Sequence, residues 1–185
     1  MKQPIHIVWF KRDLRVTDHA PLAHAVGNGI PVLPIYVIEP EYWQQNFASR
    51  RHWSFIRDCL IDLREDTTAL GQPLMVREGE VCDVFQRIAS KYSIKGIFSH
   101  EECGNDWTYQ RDKKVIQWCT SNNIPLHEFP HNGVVRGLKS RDHWSSIRNA
   151  RMAKPVIPSP SSIPPLVAES ISDIPSADHP MFGDT

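Results

Sequence analysis

The sequence predicts an α/β domain built on a five-stranded parallel sheet with helices on both faces. Three observations carry that prediction. Short apolar runs alternate along the chain with stretches of helical period, the order expected of repeated strand–helix–strand units. The apolar runs are continuous rather than alternating, which marks strands buried on both faces. The chain has 185 residues, 41% of them hydrophobic, enough for one sizeable core and a remainder.

The elements follow in order. Ile5 to Phe10 (IHIVWF) reads as a buried strand. Asp18 is placed to cap a helix over His19 to Val26, with Pro21 in its first turn and Gly27 at its end. Pro31 to Ile38 (PVLPIYVI) is a second strand, with Pro34 an awkward member because proline lacks a ladder donor. Ser49 opens a long helix to about Leu70, in which Trp53, Ile56, Cys59, Leu60, Leu63 and Leu70 form one stripe. Leu74 to Arg77 is a short strand. Val81, Val84, Phe85, Ile88 and Tyr92 keep helical spacing, and Gly96 to Ser99 is the fourth strand. Asn105 or Asp106 caps a helix to about Thr120, and Leu126 to Phe129 is the last strand. Ligands in such sheets sit beyond the carboxyl ends of the strands. This directs attention to Lys11–Asp18, Glu39–Asn46 and His100–Arg111.

Composition excludes several classes. The 21 Lys and Arg balance the 21 Asp and Glu, so the chain as a whole is not a basic nucleic-acid binder. Cys59, Cys82, Cys103 and Cys119 form no C-x-x-C pair and match no zinc spacing, so no metal site is expected and reduced thiols are. No run approaches a membrane span or a secretory leader, and a cytoplasmic protein with no membrane partner is the expectation. No G-x-G-x-x-G follows the first strand, and no phosphate loop with a Walker lysine or G-x-S-x-G elbow is present. After Ala153 the composition changes. Residues 153–185 hold seven of the fifteen prolines together with six serines, and read as an extended connector after a domain at 1–152.

The loop after the first strand, Lys11-Arg12-Asp13-Leu14-Arg15, offers two readings. Its cations can hold an anion or an acidic ring system, or they can be satisfied internally, with Asp13 accepting from Arg15 and backbone amides. In the stretch HNGVVRGLKSRDHWSSIRNARM, Arg136, Arg141 and Arg148 with Trp144 form a basic, aromatic patch that can touch nucleic-acid phosphates or a ligand carboxylate, or, as the favoured reading, belong to a helix that packs against something else.

The string VWFKRDLRVTDHAPLAHA resembles the opening of the DNA photolyase/cryptochrome family. PVLPIYVIEP is similar to that family's second strand. SRRHWSFIRDCLIDLREDTTALGQPLMVREGE is similar to its long helix and third strand. IKGIFSHEECGNDWTYQRDKKV resembles its fourth strand and following loop-helix, ending in the pair Arg111-Asp112. The resemblance runs in register from residue 5 to about 130.

It implies a Rossmann-like N-terminal domain holding a light-harvesting antenna chromophore of deazaflavin, folate or flavin type, or none. It also implies a helical C-terminal domain, outside this chain, that binds FAD and damaged DNA. The parent protein would be a deoxyribodipyrimidine photolyase, repairing UV lesions by light-driven electron transfer from FAD, or a cryptochrome photoreceptor. The chain alone would be inactive. A stand-alone nucleotide-binding module of the universal-stress type and a non-enzymatic interaction domain are the alternatives. By resemblance, the antenna residues are Arg12, Asp13, Tyr36, Val37, Ile38, Glu39, Ser99, His100, Glu101, Cys103, Trp107 and Arg111. Glu101 would accept from a ring donor, and Trp107 or Tyr36 would stack. The structural readings beside these are Tyr36 as core, Trp107 as packing and Arg111-Asp112 as a helix-surface pair. Where folate-binding members carry an Asn-Glu pair this chain has Trp107-Thr108, which departs from that mode of binding.

Overall fold

The computed structural model describes residues 1–166 and 171–182. Five strands form one parallel sheet: β1 (Pro4–Phe10), β2 (Val32–Ile38), β3 (Met75–Glu78), β4 (Ser93–His100) and β5 (Leu126–Phe129). Their order is β3-β2-β1-β4-β5, so the winding reverses between β1 and β4. The helices are α1 (Ala20–Val26), α2 (Pro40–Trp43), α3 (Arg50–Ala69), α4 (Val81–Lys91), α5 (Asp106–Ser121) and α6 (Trp144–Met152).

The continuous apolar strands divide their side chains between two cores. Val8, Phe10, Tyr36, Ile38 and Phe98 pack with α1 and α3 on one face. Ile7, Trp9, Ile35, Val37 and Ile97 pack with α4 and α5 on the other. Period-two alternation within each strand sends neighbours to opposite faces, which is why β2 is buried along its whole length.

Two local expectations are corrected. The cap of α1 is His19, whose Nδ1 accepts from the Leu22 amide at 3.0 Å. Asp18 instead lies at φ 51, and its amide donates to the Ile157 carbonyl at 2.7 Å. Pro34 sits inside β2 without breaking it. The Val32 amide points outward to the Pro164 carbonyl, and two residues on the Pro34 nitrogen faces the same side. Pairing with β3 begins only at Ile35, so no ladder bond is lost.

The 153–185 stretch has no helix or strand among its described residues, yet it is not detached from the domain. Ile163 and Phe182 are buried in the α1/α3 core and Leu166 in the α4/α5 core. The Ile163 amide donates to the Leu70 carbonyl at 2.7 Å, and Leu166 donates to Gln72 Oε1 at 2.6 Å. Phe182 stacks on Trp53 at 4.1 Å and meets Trp43 edge-on at 4.9 Å. Residues 167–170 and 183–185 of that stretch lie outside the described residues.

Candidate functional site

Beyond the carboxyl ends of β2 and β3 lies a cavity of about 580 Å³, bordered by α2 and by the first turns of α5. Glu39, Pro40 and Glu41 form one wall, and Gly79 and Glu80 another. Trp107, Gln110, Arg111 and Lys114 come from α5, spaced i, i+3, i+4 and i+7, so one helical face supplies them all. Asn105 fixes where α5 starts, because its Oδ1 accepts from the Thr108 amide at 3.1 Å. Gly79 has φ +137, a conformation costly for any residue with a Cβ, so the chain turns tightly out of β3 there.

Arg111 organises the floor. Its Nη1 donates to Glu39 Oε2 at 2.7 Å, its Nη2 to Glu102 Oε2 at 3.0 Å and its Nε to Asp112 Oδ1 at 2.8 Å. Lys11 Nζ pairs with the other Asp112 oxygen at 3.0 Å, and Arg12 Nε lies 3.6 Å from Glu102. Lys11 and Arg111 both lie over the Trp9 ring, at 4.6 and 4.9 Å from its centroid. Burial alone would lower the Arg111 pKa, but Glu39 and Asp112 outweigh it and raise it. Burial pushes Glu39 up to about 7 even though the Arg111 guanidinium beside it pulls the other way. Arg111-Asp112 is therefore a buried pair at the centre of an ion network, not a helix-surface pair.

The first-strand loop takes its internally satisfied form, with a backbone amide on Asp13 as expected but with His19 and His100 in place of Arg15. Asp13 Oδ1 accepts from the Lys11 amide at 2.8 Å. Its Oδ2 accepts from His19 Nε2 at 2.8 Å and His100 Nδ1 at 2.6 Å. Burial would raise the Asp13 pKa, but the bonds from His100 and His19 overcome it and hold the carboxyl well below the usual range. Asp13, His19 and His100 bring one ligand-type atom each within 4.8 Å of one another. The His19 ring accepts the Leu22 amide on Nδ1, so its proton is on Nε2, where a metal would have to bind. The three side chains form one buried hydrogen-bonded cluster.

The structure brings three of the twelve expected site residues to the cavity wall: Glu39, Trp107 and Arg111. Tyr36 and Ile38 point into the α1/α3 core, away from α5, and Val37 is buried against α4 and α5. Tyr36 is a core side chain, and burial drives its phenol pKa upward. Arg12 is largely exposed on Glu102. Asp13 and His100 are spent on each other. Ser99 is buried with its hydroxyl unpartnered, as is Glu101 Oε2. The Cys103 thiol reaches the Glu101 carbonyl at 3.9 Å, and burial pushes its pKa up. None of these lines the cavity. Of the other lining residues, Pro40, Glu41, Gln45, Asp106 and Gln110 fall in segments the sequence marked, whereas Gly79, Glu80 and Lys114 fall outside them; for Lys114 the signal was its helical spacing from Trp107.

Several known proteins share this architecture. The family model described as DNA photolyase matches residues 6–143. A cryptochrome DASH of Gloeobacter violaceus is 25% identical over 91% of this chain and 37% of its own length. One from Synechocystis sp. is 32% identical over 77% of this chain and 27% of its own. The crystal structure of a Synechocystis cryptochrome superposes with a TM-score of 0.77 at 20% identity, covering 95% of this chain and 40% of that one. An archaeal photolyase from Sulfolobus tokodaii, solved with two FAD molecules, gives 0.72 at 22% identity, over 90% of this chain and 40% of that one. The chain therefore spans well under half the length of these relatives. Among the described residues, no helix is long and apolar enough to cross a membrane.

Proposed function

Because the chain belongs to the DNA photolyase family, matched over residues 6–143, we propose that it is the light-harvesting domain of a photolyase that repairs UV-damaged DNA with FAD. The observation that carries this reading is the cavity of about 580 Å³ at the strand ends, a volume suited to a polycyclic ring. Trp107 offers an aromatic face at its wall, and Glu39 offers a carboxylate to ring N–H donors. When bound, the chromophore supplies absorption of near-ultraviolet and blue light and passes the excitation on. This chain's residues bind it, orient it and exclude water. The donor set suits a deazaflavin or flavin ring. It does not suit folate held by an Asn-Glu pair, because Thr108 is buried and its hydroxyl donates to the Asn105 carbonyl at 2.9 Å.

FAD and the damaged DNA belong to a helical domain of the same cytoplasmic protein, toward which residues 153–185 lead from the 1–152 body. A cryptochrome is the second reading, favoured by the two cryptochromes DASH at 25% and 32% identity. Native protein should show near-ultraviolet or blue absorbance beyond that of FAD. Trp107→Ala should lower chromophore occupancy, while Glu101→Ala, outside the cavity wall, should leave it unchanged. A spectrum accounted for entirely by FAD would overturn the antenna reading.

A further inference from the structure

The charges around the cavity bear on which ring systems it accepts, an inference that rests on the chromophore reading above. Phosphates in α/β folds settle on helix N-termini, where free amides and the helix dipole favour an anion. Three helices begin at this cavity; α2 is a single turn opening on Pro40, which has no amide to offer, and the starts of the two longer ones are already taken. At α4, Glu80 folds its own carboxylate over the helix, Oε2 accepting from the Cys82 amide at 2.9 Å and the Asp83 amide at 3.4 Å. At α5, Asn105 takes the Thr108 amide and Asp106 adds a carboxylate in the first turn.

The side chains point the same way. Four carboxylates line the cavity (Glu39, Glu41, Glu80 and Asp106) against two cations, Arg111 and Lys114. Arg111 has its donors committed to Glu39, Glu102 and Asp112. Lys114 is exposed and has no carboxylate partner among the described residues, so with Glu39 neutralised by Arg111 one cation faces three carboxylates, Glu41, Glu80 and Asp106. Gly79 makes a tight turn between β3 and α4, but the amide of Gly79 itself is bonded to the Ile38 carbonyl at 3.0 Å. That amide is therefore not available to a phosphate.

We propose that the cavity selects a phosphate-free ring system of the riboflavin or deazariboflavin type and rejects its phosphorylated forms. The acidic wall that repels a phosphate serves as the acceptor set for ring N–H and ribityl hydroxyl donors.

Riboflavin and FMN test this directly, since they share one ring and differ by one phosphate. The purified chain is titrated with each at low salt, reading flavin anisotropy and quenching by Trp107. Riboflavin should bind at least about ten-fold more tightly, because a phosphate dianion placed near a net-negative wall is repelled. High salt should narrow the gap. So should the double variant Glu41→Lys/Asp106→Asn, both exposed positions whose substitution leaves the core intact. FMN binding as tightly as riboflavin, or a gap indifferent to the double variant, would overturn the selectivity. Binding of neither flavin nor 5-deazariboflavin overturns the chromophore reading itself, and is recognised by the absence of any quenching.

Discussion

Replacing Arg111 with Gln removes the one cation shared by three buried carboxylates. The naive sum of three broken pairs overstates the effect. Asp112 keeps Lys11 at 3.0 Å, and Glu102 keeps Arg12 at 3.6 Å. Glu39 keeps no other ion-pair partner among the described residues, and it is 7% exposed. The cost is therefore that of one uncompensated buried charge, about 3–5 kcal/mol. For a chain of this size that corresponds to a fall in Tm of roughly 6–20 °C.

The pH dependence gives the sharper test. Glu39 already titrates near about 7 with Arg111 in place, and loss of the guanidinium raises it further. A carboxyl whose folded pKa lies above its unfolded value contributes stability that is present at low pH and lost as pH rises through the folded value. The variant should therefore lose more stability at about pH 8 than at about pH 6 relative to the native chain. Adding Glu39→Gln should recover part of the loss at the higher pH. Urea melts across a pH series read this out. A loss below about 1 kcal/mol, or one independent of pH, would refute the account of Arg111 as the neutralising centre.

Three further outcomes follow from the same structure. Phe182→Ala removes a ring stacked on Trp53 at 4.1 Å and should cost about 2–4 kcal/mol in urea melts, limited by release of the strap, the docked segment after Ala153; an unchanged midpoint would mean that 171–182 is not docked. Asp13→Asn should cost about 2–4 kcal/mol at neutral pH through its two histidine bonds. Because the folded Asp13 pKa is lowered, its stabilisation is lost as pH falls, so native and variant melting curves should converge below about pH 4. Asn105→Ala should cost about 1 kcal/mol by uncapping α5, and Asn105→Asp should restore it, as thermal melts would report.

The fold was legible because each strand is a short apolar run and each long helix carries a stripe. Ser49 and Asn105 announce their helices by type and position. The site was legible only in part, and the reason is sequence distance. The carboxylates that neutralise Arg111 stand 72, 9 and 1 residues away, and no local period marks them as partners. His19 looked like an ordinary helix residue, since its bonds to Asp13 and Leu22 depend on a turn that only the fold defines. The strap was hidden for a different reason. Its proline-serine composition has no period, and Ile163, Leu166 and Phe182 are single anchors separated by polar chain.

The strap also sets a timetable for synthesis. Trp53 is covered by Phe182 and by the Ser176 carbonyl, 123 residues later, to which its indole donates at 3.0 Å. At a translation rate of about 5–20 residues per second, this tryptophan waits roughly 6–25 s for that carbonyl to be made. During that interval Trp43 of α2 and Trp53 of α3 lack the ring that covers them, an aromatic surface of the kind that holdase chaperones engage. Variants that weaken the strap would prolong that exposure in each newly made chain, and reduced yield in the cell would appear before any loss of ligand binding.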